Sequence, residues 1–242
     1  MTEENADGRS SGGAVLVAGP PSPLAARLAA ELTAGGVVTG LLGGAEQDGV
    51  PSLPGSVNDR EAAIDAVAAA EASLGSVAMV VYVPAVEGGL QDRLLVDTDE
   101  SRWDAEAEAP VRSAYFVIQG AHELFAERGG SIALMIPSIA LTCAAGLVPF
   151  ATAAEGIRLL GKSAARAWGK RRITVNSLTV PIEAWDFEQA PEHAVPNRYG
   201  PSMTDSDVVK DAAGAIALLA NPLSSGVTGS TIGIDLGTVM AP

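Results

Sequence analysis

The chain has few of the residues that metal binding and nucleophilic catalysis most often use. Its 242 residues include one cysteine, Cys143, and two histidines, His122 and His193. A single cysteine cannot form a disulfide within the chain, and no His/Cys cluster has the spacing of metal ligands. Because neither histidine lies near Cys143 in the pattern of elements, we expect this cysteine to pack rather than to act as a nucleophile.

Positive charge and long apolar runs are also scarce. Fifteen Lys and Arg stand against 29 Asp and Glu, so the formal net charge is −14 and the pI about 4.4. This balance repels nucleic acid. No run approaches the roughly 18 apolar residues that span a bilayer, and residues 1–12 lack the apolar core of a signal peptide. The sequence predicts a cytoplasmic protein that binds neither nucleic acid nor membrane. Residues 1–12 are predicted to be a disordered tail, and the acidic stretch 97–108 a solvated face.

Strand and helix patterns alternate along residues 13–242. Short apolar runs bounded by glycine predict buried strands, and Ala/Leu-rich segments between them predict helices. The predicted strands are 15–18, 37–42, 78–83, 131–136, 173–178 and 231–234, and the predicted helices are 24–34, 61–74, 109–128, 150–170 and 207–220. This order predicts an α/β fold with a single Rossmann-like, doubly wound parallel sheet covered by helices on both faces.

One long segment, 183–205, departs from this alternation. It is polar and mixes prolines with aromatic residues. Long irregular segments of this kind often cover a site, so we expect a lid-like loop here.

The turn after the first strand is a poor cradle for a phosphate. In a dinucleotide-binding sheet, glycines at this turn let a pyrophosphate approach the N-terminus of the next helix. Here the turn holds Gly19, Ser22 and Ala25, together with three prolines that lack a backbone N–H. The last of them, Pro23, suits the first position of a helix. The turn therefore favours a helix start over an anion site.

The end of the second strand also lacks the usual cofactor contacts. It reads GLLGG over residues 40–44. An Asp or Glu here would hold the ribose of NAD, and a nearby Arg would accommodate the phosphate of NADP. Neither is present. The sequence predicts no bound cofactor, with NADP or NAD held only weakly if at all.

Three segments resemble the short-chain dehydrogenase/reductase family, which includes the 3-oxoacyl-carrier-protein reductases. Residues 150–176 (FATAAEGIRLLGKSAARAWGKRRITVN) resemble its long helix with a Tyr-x-x-x-Lys motif and the following strand that ends in Val-Asn. Residues 227–237 (VTGSTIGIDLG) resemble its closing "TGQTIxVDGG" segment, and residues 110–116 (PVRSAYF) its "NVRxxF" helix. The resemblance covers nearly the whole chain after the tail and implies the family's Rossmann-like fold.

The same resemblance implies that the family's four catalytic positions hold other residues in this chain. Phe150 stands at the position of the catalytic Tyr and Ala154 at that of the Lys. Neither side chain can transfer a proton or carry a charge. Pro137 stands at the position of the substrate-orienting Ser, and Pro110 at that of the supporting Asn. Ser138 is adjacent, so a shift of one residue in the loop would restore a hydroxyl.

The family's cofactor positions differ as well. Its "NNAG" segment corresponds to residues 82–85 (YVPA), its adenine-facing Asp to Ser56, and its "PG" pair to residues 180–181 (VP). The core strands and the closing segment remain similar to the family. We therefore expect a scaffold kept for folding and association, without hydride transfer.

Other side chains could perform acid–base chemistry in a cleft. The titratable or hydroxyl candidates are Tyr82, Ser138, Glu155, Glu183, Asp186, His193 and Tyr199. The predicted pocket residues are Tyr82, Ser138, Trp185 and Tyr199. Glu155 points about 100° away from Ala154 on a helix, so we expect it to face a neighbour or solvent.

Four functions stay open from the sequence. The first is a non-catalytic subunit or partner of an active ketoreductase, which forms homo- or hetero-oligomers through helices 109–128 and 150–170 and the C-terminal segment, with His122 at the interface or on the surface. The second is a cofactor-independent cyclase, lyase or isomerase. The third is a small-molecule sensor or binding protein. The fourth is an atypical oxidoreductase that uses Ser138 or a lid residue.

Overall fold

A seven-stranded parallel sheet forms the centre of the molecule. The structure is a computed structural model, and it describes residues 13–44, 49–86, 90–185 and 206–239. The strands are β1 (Ala14–Ala18), β2 (Thr39–Leu42), β3 (Ser52–Leu53), β4 (Val77–Tyr82), β5 (Gly130–Pro137), β6 (Ile173–Val180) and β7 (Thr231–Gly233). Their spatial order is β3-β2-β1-β4-β5-β6-β7. The doubly wound α/β fold predicted from the sequence is therefore confirmed.

Helices connect the strands and cover both faces of the sheet. They are α1 (Pro23–Ala34), α2 (Arg60–Leu74), α3 (Glu100–Trp103), α4 (Ala109–Phe125), α5 (Ile139–Thr142), α6 (Val148–Trp168) and α7 (Val208–Ala220). Side-chain caps fix four of the starts: Ser22 caps α1, Asp59 caps α2, Asp99 caps α3 and Asp207 caps α7. In the described part of the chain, no helix combines the length and apolarity needed to cross a bilayer.

A π-helical turn joins α3 to α4 over residues 104–108. The Ala109 N–H donates to the Asp104 carbonyl, five residues back. The next residue, Pro110, has no N–H and cannot continue an α-helical ladder. The helical stretch therefore runs from 100 to 125 with a wide turn in the middle, and such turns often mark functional sites.

The core has two main layers and a smaller third cluster. On one face of the sheet, side chains such as Val80 and Ile132 pack beneath α2, α4 and α6. On the other face, side chains such as Val81 and Leu178 pack beneath α1 and α7. The third cluster lies around α5 and the start of α6.

The closing segment is tied to β6 by side-chain hydrogen bonds. The buried Asn176 amide donates to the Val227 carbonyl at 2.8 Å and accepts from the Ser230 N–H at 3.1 Å. The buried Asp235 carboxylate accepts from the Gly237 and Val239 N–H groups, both at 3.1 Å. The Asn176 bonds hold the residues just before β7 against β6, and the Asp235 bonds shape the turn that follows β7.

Candidate functional site

An apolar cluster lies around the residues that follow β4, β5 and β6, at the carboxyl edge of the sheet. Phe150, in the first turn of α6, is fully buried, and its ring meets Trp185 edge-on with centroids 6.1 Å apart. The Trp185 Nε1–H donates to the Pro84 carbonyl at 2.8 Å. Leu147 and Ile182 complete this side of the cluster. Parallel α/β sheets usually bind ligands at this edge. In this chain, Trp185 links the segment after β6 to the segment after β4 and to the start of α6.

Ala154 lies one turn after Phe150 on the same face of α6. Its exposed fraction is 1%, and it belongs to the core beneath α2, α4 and α6. An ammonium at this position would be removed from water.

Pro137 and Ser138 end β5 at the same edge of the sheet. Pro137 pairs with Val180 in the parallel ladder, and the Ser138 N–H donates to the Val180 carbonyl at 2.8 Å. Ser138 is 8% exposed and directly precedes α5, whose first residue, Ile139, belongs to the apolar cluster. The structure thus brings Ser138 to the same edge as Phe150.

Pro110 and Tyr82 form a buried polar contact between α4 and β4. The Tyr82 hydroxyl donates to the Pro110 carbonyl at 2.8 Å and lies 2.7 Å from the Ser113 Oγ. Tyr82 is fully buried, and this burial raises the pKa of its phenol far above the ordinary value, with the Ser113 contact opposing the change. The structure places Tyr82 in the core, so the prediction that it lines a pocket is corrected. Its hydroxyl group is hydrogen-bonded to residues of α4.

The turn between β1 and α1 is shaped by the chain's own packing. A Cβ on Gly19 would lie 2.1 Å from the Val83 carbonyl oxygen, so only glycine fits here. The Ser22 Oγ accepts from the Ala25 N–H at 3.2 Å, and Pro23 occupies the first position of the helix. One helix-terminal amide is thus capped internally, and the proline offers none.

The other cofactor positions supply no charged contact either. The chain leaves β2 through Gly43, whose φ is +72°, and the strand end at 41–44 carries no carboxylate and no guanidinium. Ser56 is exposed, and its hydroxyl accepts from the Asn58 N–H at 3.2 Å. Together with the proline turn, Phe150 and Ala154, these residues do not fit the contacts that a nicotinamide dinucleotide requires.

The remaining described candidates lie at the surface or pack between two helices. Glu155 pairs with Arg158 on α6, 2.6 Å apart, and is half-buried at the helix surface. Glu183 is exposed. The ring of His122 packs against Trp168, with centroids 4.5 Å apart, and joins α4 to α6.

Two further outcomes concern Cys143 and the lid-like loop. Cys143 is exposed at the end of α5, contrary to the packing role expected from the sequence. Asp186, His193 and Tyr199 lie outside the described residues, as does all of the predicted loop 183–205 beyond Trp185. Among the described residues, no group of three or more His, Cys, Asp or Glu is placed to hold a metal ion.

A buried ion pair that was not predicted from the sequence joins α3 to the π-helical turn. Glu106 is 2% exposed, and its Oε1 lies 2.5 Å from Arg102 Nη2. Burial raises the pKa of the Glu106 carboxyl, and the Arg102 charge opposes this effect. The i,i+4 spacing of Arg102 and Glu106 is compatible with an ion pair on a helix. The many acidic residues around them instead predicted a solvated helix face. For Glu106 that prediction is wrong, because its side chain is buried.

The structure also contains a groove of about 370 Å³ between α1 and α7, on the face of the sheet opposite α6. It is lined mainly by small residues, with Glu31 and Lys210 as its charged groups. This groove was not predicted, because neither helix carries a motif that marks it.

Comparisons with known proteins agree with this architecture. Residues 38–239 match the sequence profile of a family described as enoyl-(acyl carrier protein) reductase. Nodulation protein G of Azospirillum brasilense is 27% identical over 190 residues, which are 76% of this chain and 74% of that protein. A short-chain type dehydrogenase/reductase from Mycobacterium ulcerans superposes with a TM-score of 0.78 at 19% identity, over 93% of this chain and 89% of that chain. A doubly substituted short-chain dehydrogenase/reductase from Serratia marcescens gives 0.74 at 22% identity, over 94% and 98%.

Proposed function

This chain belongs to the short-chain dehydrogenase/reductase family, and from that premise we propose that it is a non-catalytic subunit, which acts by association with an active ketoreductase of the same family. The observation that carries the proposal is the Phe150–Trp185 contact at the carboxyl edge of the sheet. At the position where the family carries its proton donor, this chain has a fully buried ring packed against a second ring.

The residues at the family's cofactor positions support the same proposal. Members of the family normally bind NAD or NADP. In this chain Ser22 caps the first helix with its own hydroxyl, and Pro23 offers no amide to a phosphate. Ala154, at the position of the lysine that would hold the nicotinamide ribose, is buried in the core. We propose that NADP and NAD bind weakly or not at all.

The surface of α4 and α6 supports a role in association. The two helices pack closely, since a Cβ on Gly156 would lie 3.3 Å from the Val111 Cγ2. On their outer surface Tyr115 is 46% exposed and Leu159 is 67% exposed. Large exposed apolar side chains on a regular helical face favour contact with another protein. A partner of the same fold has an equivalent pair of helices, which can pack against this surface.

The first test is calorimetric titration of the purified chain with NADPH and NADH up to millimolar concentration. A catalytically complete reductase of the family, titrated in the same buffer, is the control. We expect heat from the control and none from this chain, together with no oxidation of NADPH in the presence of carbonyl substrates. Micromolar binding with turnover would overturn the proposal.

The second test is co-expression with each catalytically complete family member of the same organism, followed by affinity capture and size-exclusion chromatography. We expect one such reductase to co-purify. Leu159→Glu should weaken the complex at least tenfold, because it places a charge at the centre of the helical face. Val38→Glu is the matched control, since Val38 is 55% exposed and lies before β2. Failure of every reductase to co-purify would contradict association with an active partner.

A further inference from the structure

Helices α1 and α7 lie side by side on the face of the sheet opposite α6. Near the starts of the two helices, Arg27 and Asp207 form an ion pair, with Nη2 and Oδ2 3.3 Å apart. Beyond this pair, the last turns of α1 and the middle of α7 border the groove of about 370 Å³. The two helices therefore run in the same direction, and the ion pair lies at one end of what we call the α1–α7 groove.

The next turn of each helix carries a second set of opposite charges, in the reverse order. On α1, Glu31 lies one turn after Arg27, and on α7, Lys210 lies one turn after Asp207. Glu31 and Lys210 both line the groove. They form no ion pair with each other or with any other described residue. Because exposed ion pairs contribute little to stability, the fold loses little by leaving both charges open to a ligand.

The surface of the groove beside these charges is apolar. Leu32 and Ala213, which are 1% and 5% exposed, belong to the core, and Val37 and Ala217 extend the lining. Gly214 keeps the groove open, since a Cβ at this position would meet no heavy atom within 4 Å. Small-molecule sites span roughly 300–1,000 Å³, so a groove of this size has room for a small ligand.

We propose that the α1–α7 groove binds an apolar α-amino acid in its zwitterionic form. The ammonium of the ligand donates to the Glu31 carboxylate, and its carboxylate accepts from the Lys210 ammonium, so that both contacts are charge-assisted hydrogen bonds. The apolar side chain of the ligand lies on Leu32 and Ala213 and is removed from water.

The pair of opposite charges favours a zwitterion over a singly charged ligand. An organic acid or an amine would leave either Glu31 or Lys210 beside the apolar part of the ligand, without a counter-charge. The net charge of −14 also repels anions on average, whereas a zwitterion carries no net charge. The groove lies on the opposite face of the sheet from α6, so this proposal does not depend on the proposed function.

The test is calorimetric titration of the purified full chain with L-leucine and two analogues. Isocaproate lacks the ammonium of leucine, and L-leucinamide lacks its carboxylate. We expect L-leucine to bind with a dissociation constant of about 1 mM or tighter, and each analogue to bind at least about tenfold more weakly. L-leucine should also raise the midpoint of thermal unfolding, because it binds only the folded chain.

Substitutions in the groove locate the site. Glu31→Gln and Lys210→Gln each remove one charge and should weaken L-leucine binding at least about tenfold. Gly214→Leu places a side chain in the groove and should abolish binding, whereas Gly214→Ala, which leaves most of the space open, should bind nearly as well as the natural chain. Glu61→Gln, at an exposed position on α2, is the control for loss of a carboxylate. Circular dichroism checks that each variant is folded.

Three results would overturn the inference. They are an absence of L-leucine binding by the natural chain, binding of isocaproate or L-leucinamide as tight as that of L-leucine, and binding that survives Gly214→Leu or either charge removal. The nucleotide titration is independent of all three. If L-leucine binds and NADPH is turned over, the groove site stands and the proposed function falls. If neither compound binds, the proposed function stands without the site.

Discussion

The rings of Phe150 and Trp185 meet edge-on, with their planes at 74° and their centroids 6.1 Å apart. Edge-to-face geometry places the positive edge of one ring on the negative face of the other, which adds to the gain from burial. Because Trp185 also donates to the Pro84 carbonyl, the pair links the start of α6, the segment after β6 and the segment after β4. Under the proposed function, this bridge stabilises the edge of the sheet that active relatives keep for chemistry.

Replacing Trp185 tests whether this bridge contributes to stability. Trp185→Phe keeps a ring but removes the N–H donor, so we expect a loss of about 1 kcal/mol in the free energy of unfolding. Trp185→Ala also removes the ring contact and should cost about 3 kcal/mol. Urea unfolding measures both. Trp103→Phe, at another half-buried tryptophan, is the control, and equal effects of the two Trp→Phe changes would contradict the bridge.

Restoring the family's residues should not restore its activity. In Phe150→Tyr/Ala154→Lys the new ammonium occupies a position that is 1% exposed. We therefore expect the free energy of unfolding to fall by about 3 kcal/mol or more. Ala167→Lys, on the exposed side of the same helix, is the control and should change stability by less than about 0.5 kcal/mol. The assay is NADPH oxidation with carbonyl substrates. Turnover well above background by the double variant would show that the cleft still accepts a cofactor.

The strands at the centre of the sheet were predictable because both of their faces are buried. The alternation of strands and helices in the sequence predicted strands at 131–136 and 173–178, and the structure extends them to Gly130–Pro137 and Ile173–Val180. The two-residue β3 was not predicted, since two residues show no periodicity. Edge elements depend on pairing with a neighbour more than on their own pattern.

The candidate site was predictable in its residues but not in its contacts. The resemblance identified Phe150 and Ala154 by counting from Asn176. The hydrogen bond from Trp185 to Pro84 joins residues 101 positions apart, and no local signal marks it. Tyr82 was expected in a pocket because it ends a strand. Its hydroxyl instead meets a carbonyl that α4 presents.

The buried pair of Glu106 and Arg102 gives a prediction with a defined pH dependence. Burial raises the pKa of the Glu106 carboxyl in the folded state, so its contribution to stability is present below the unfolded value near ~4.3 and is lost as pH rises. We expect Glu106→Gln, which mimics the protonated acid, to be at least as stable as the natural chain at pH 7. The difference in the free energy of unfolding between this variant and the natural chain should vanish below about pH 4.

Substitutions of Arg102 and of the exposed Glu108 are the controls for this ion pair. Arg102→Ala leaves a buried carboxylate without its counter-charge and should cost about 3 kcal/mol at pH 7. Glu108→Gln removes the exposed pair with Arg112, 3.2 Å apart, and should change stability by less than about 1 kcal/mol. Urea midpoints at pH 7 and pH 4 distinguish these effects. A Glu106→Gln variant much less stable than the natural chain at pH 7 would contradict the prediction.

Tyr82 should make the protein sensitive to alkali. Burial raises the pKa of its phenol above the unfolded value near ~10. Its contribution is therefore fully present below pH 10 and is lost as pH rises, by roughly 1.4 kcal/mol per pH unit. Tyr82→Phe removes one of the two donors to the Pro110 carbonyl, since the Ser113 Oγ also donates to it at 3.2 Å, and should cost about 1 kcal/mol at pH 8. Because Tyr82→Phe cannot ionise at this position, the difference in urea midpoint between the natural chain and the variant should decrease between pH 9 and pH 11. Tyr115→Phe, at an exposed tyrosine, should show no such narrowing. A constant gap for Tyr82→Phe would mean that water reaches the phenol.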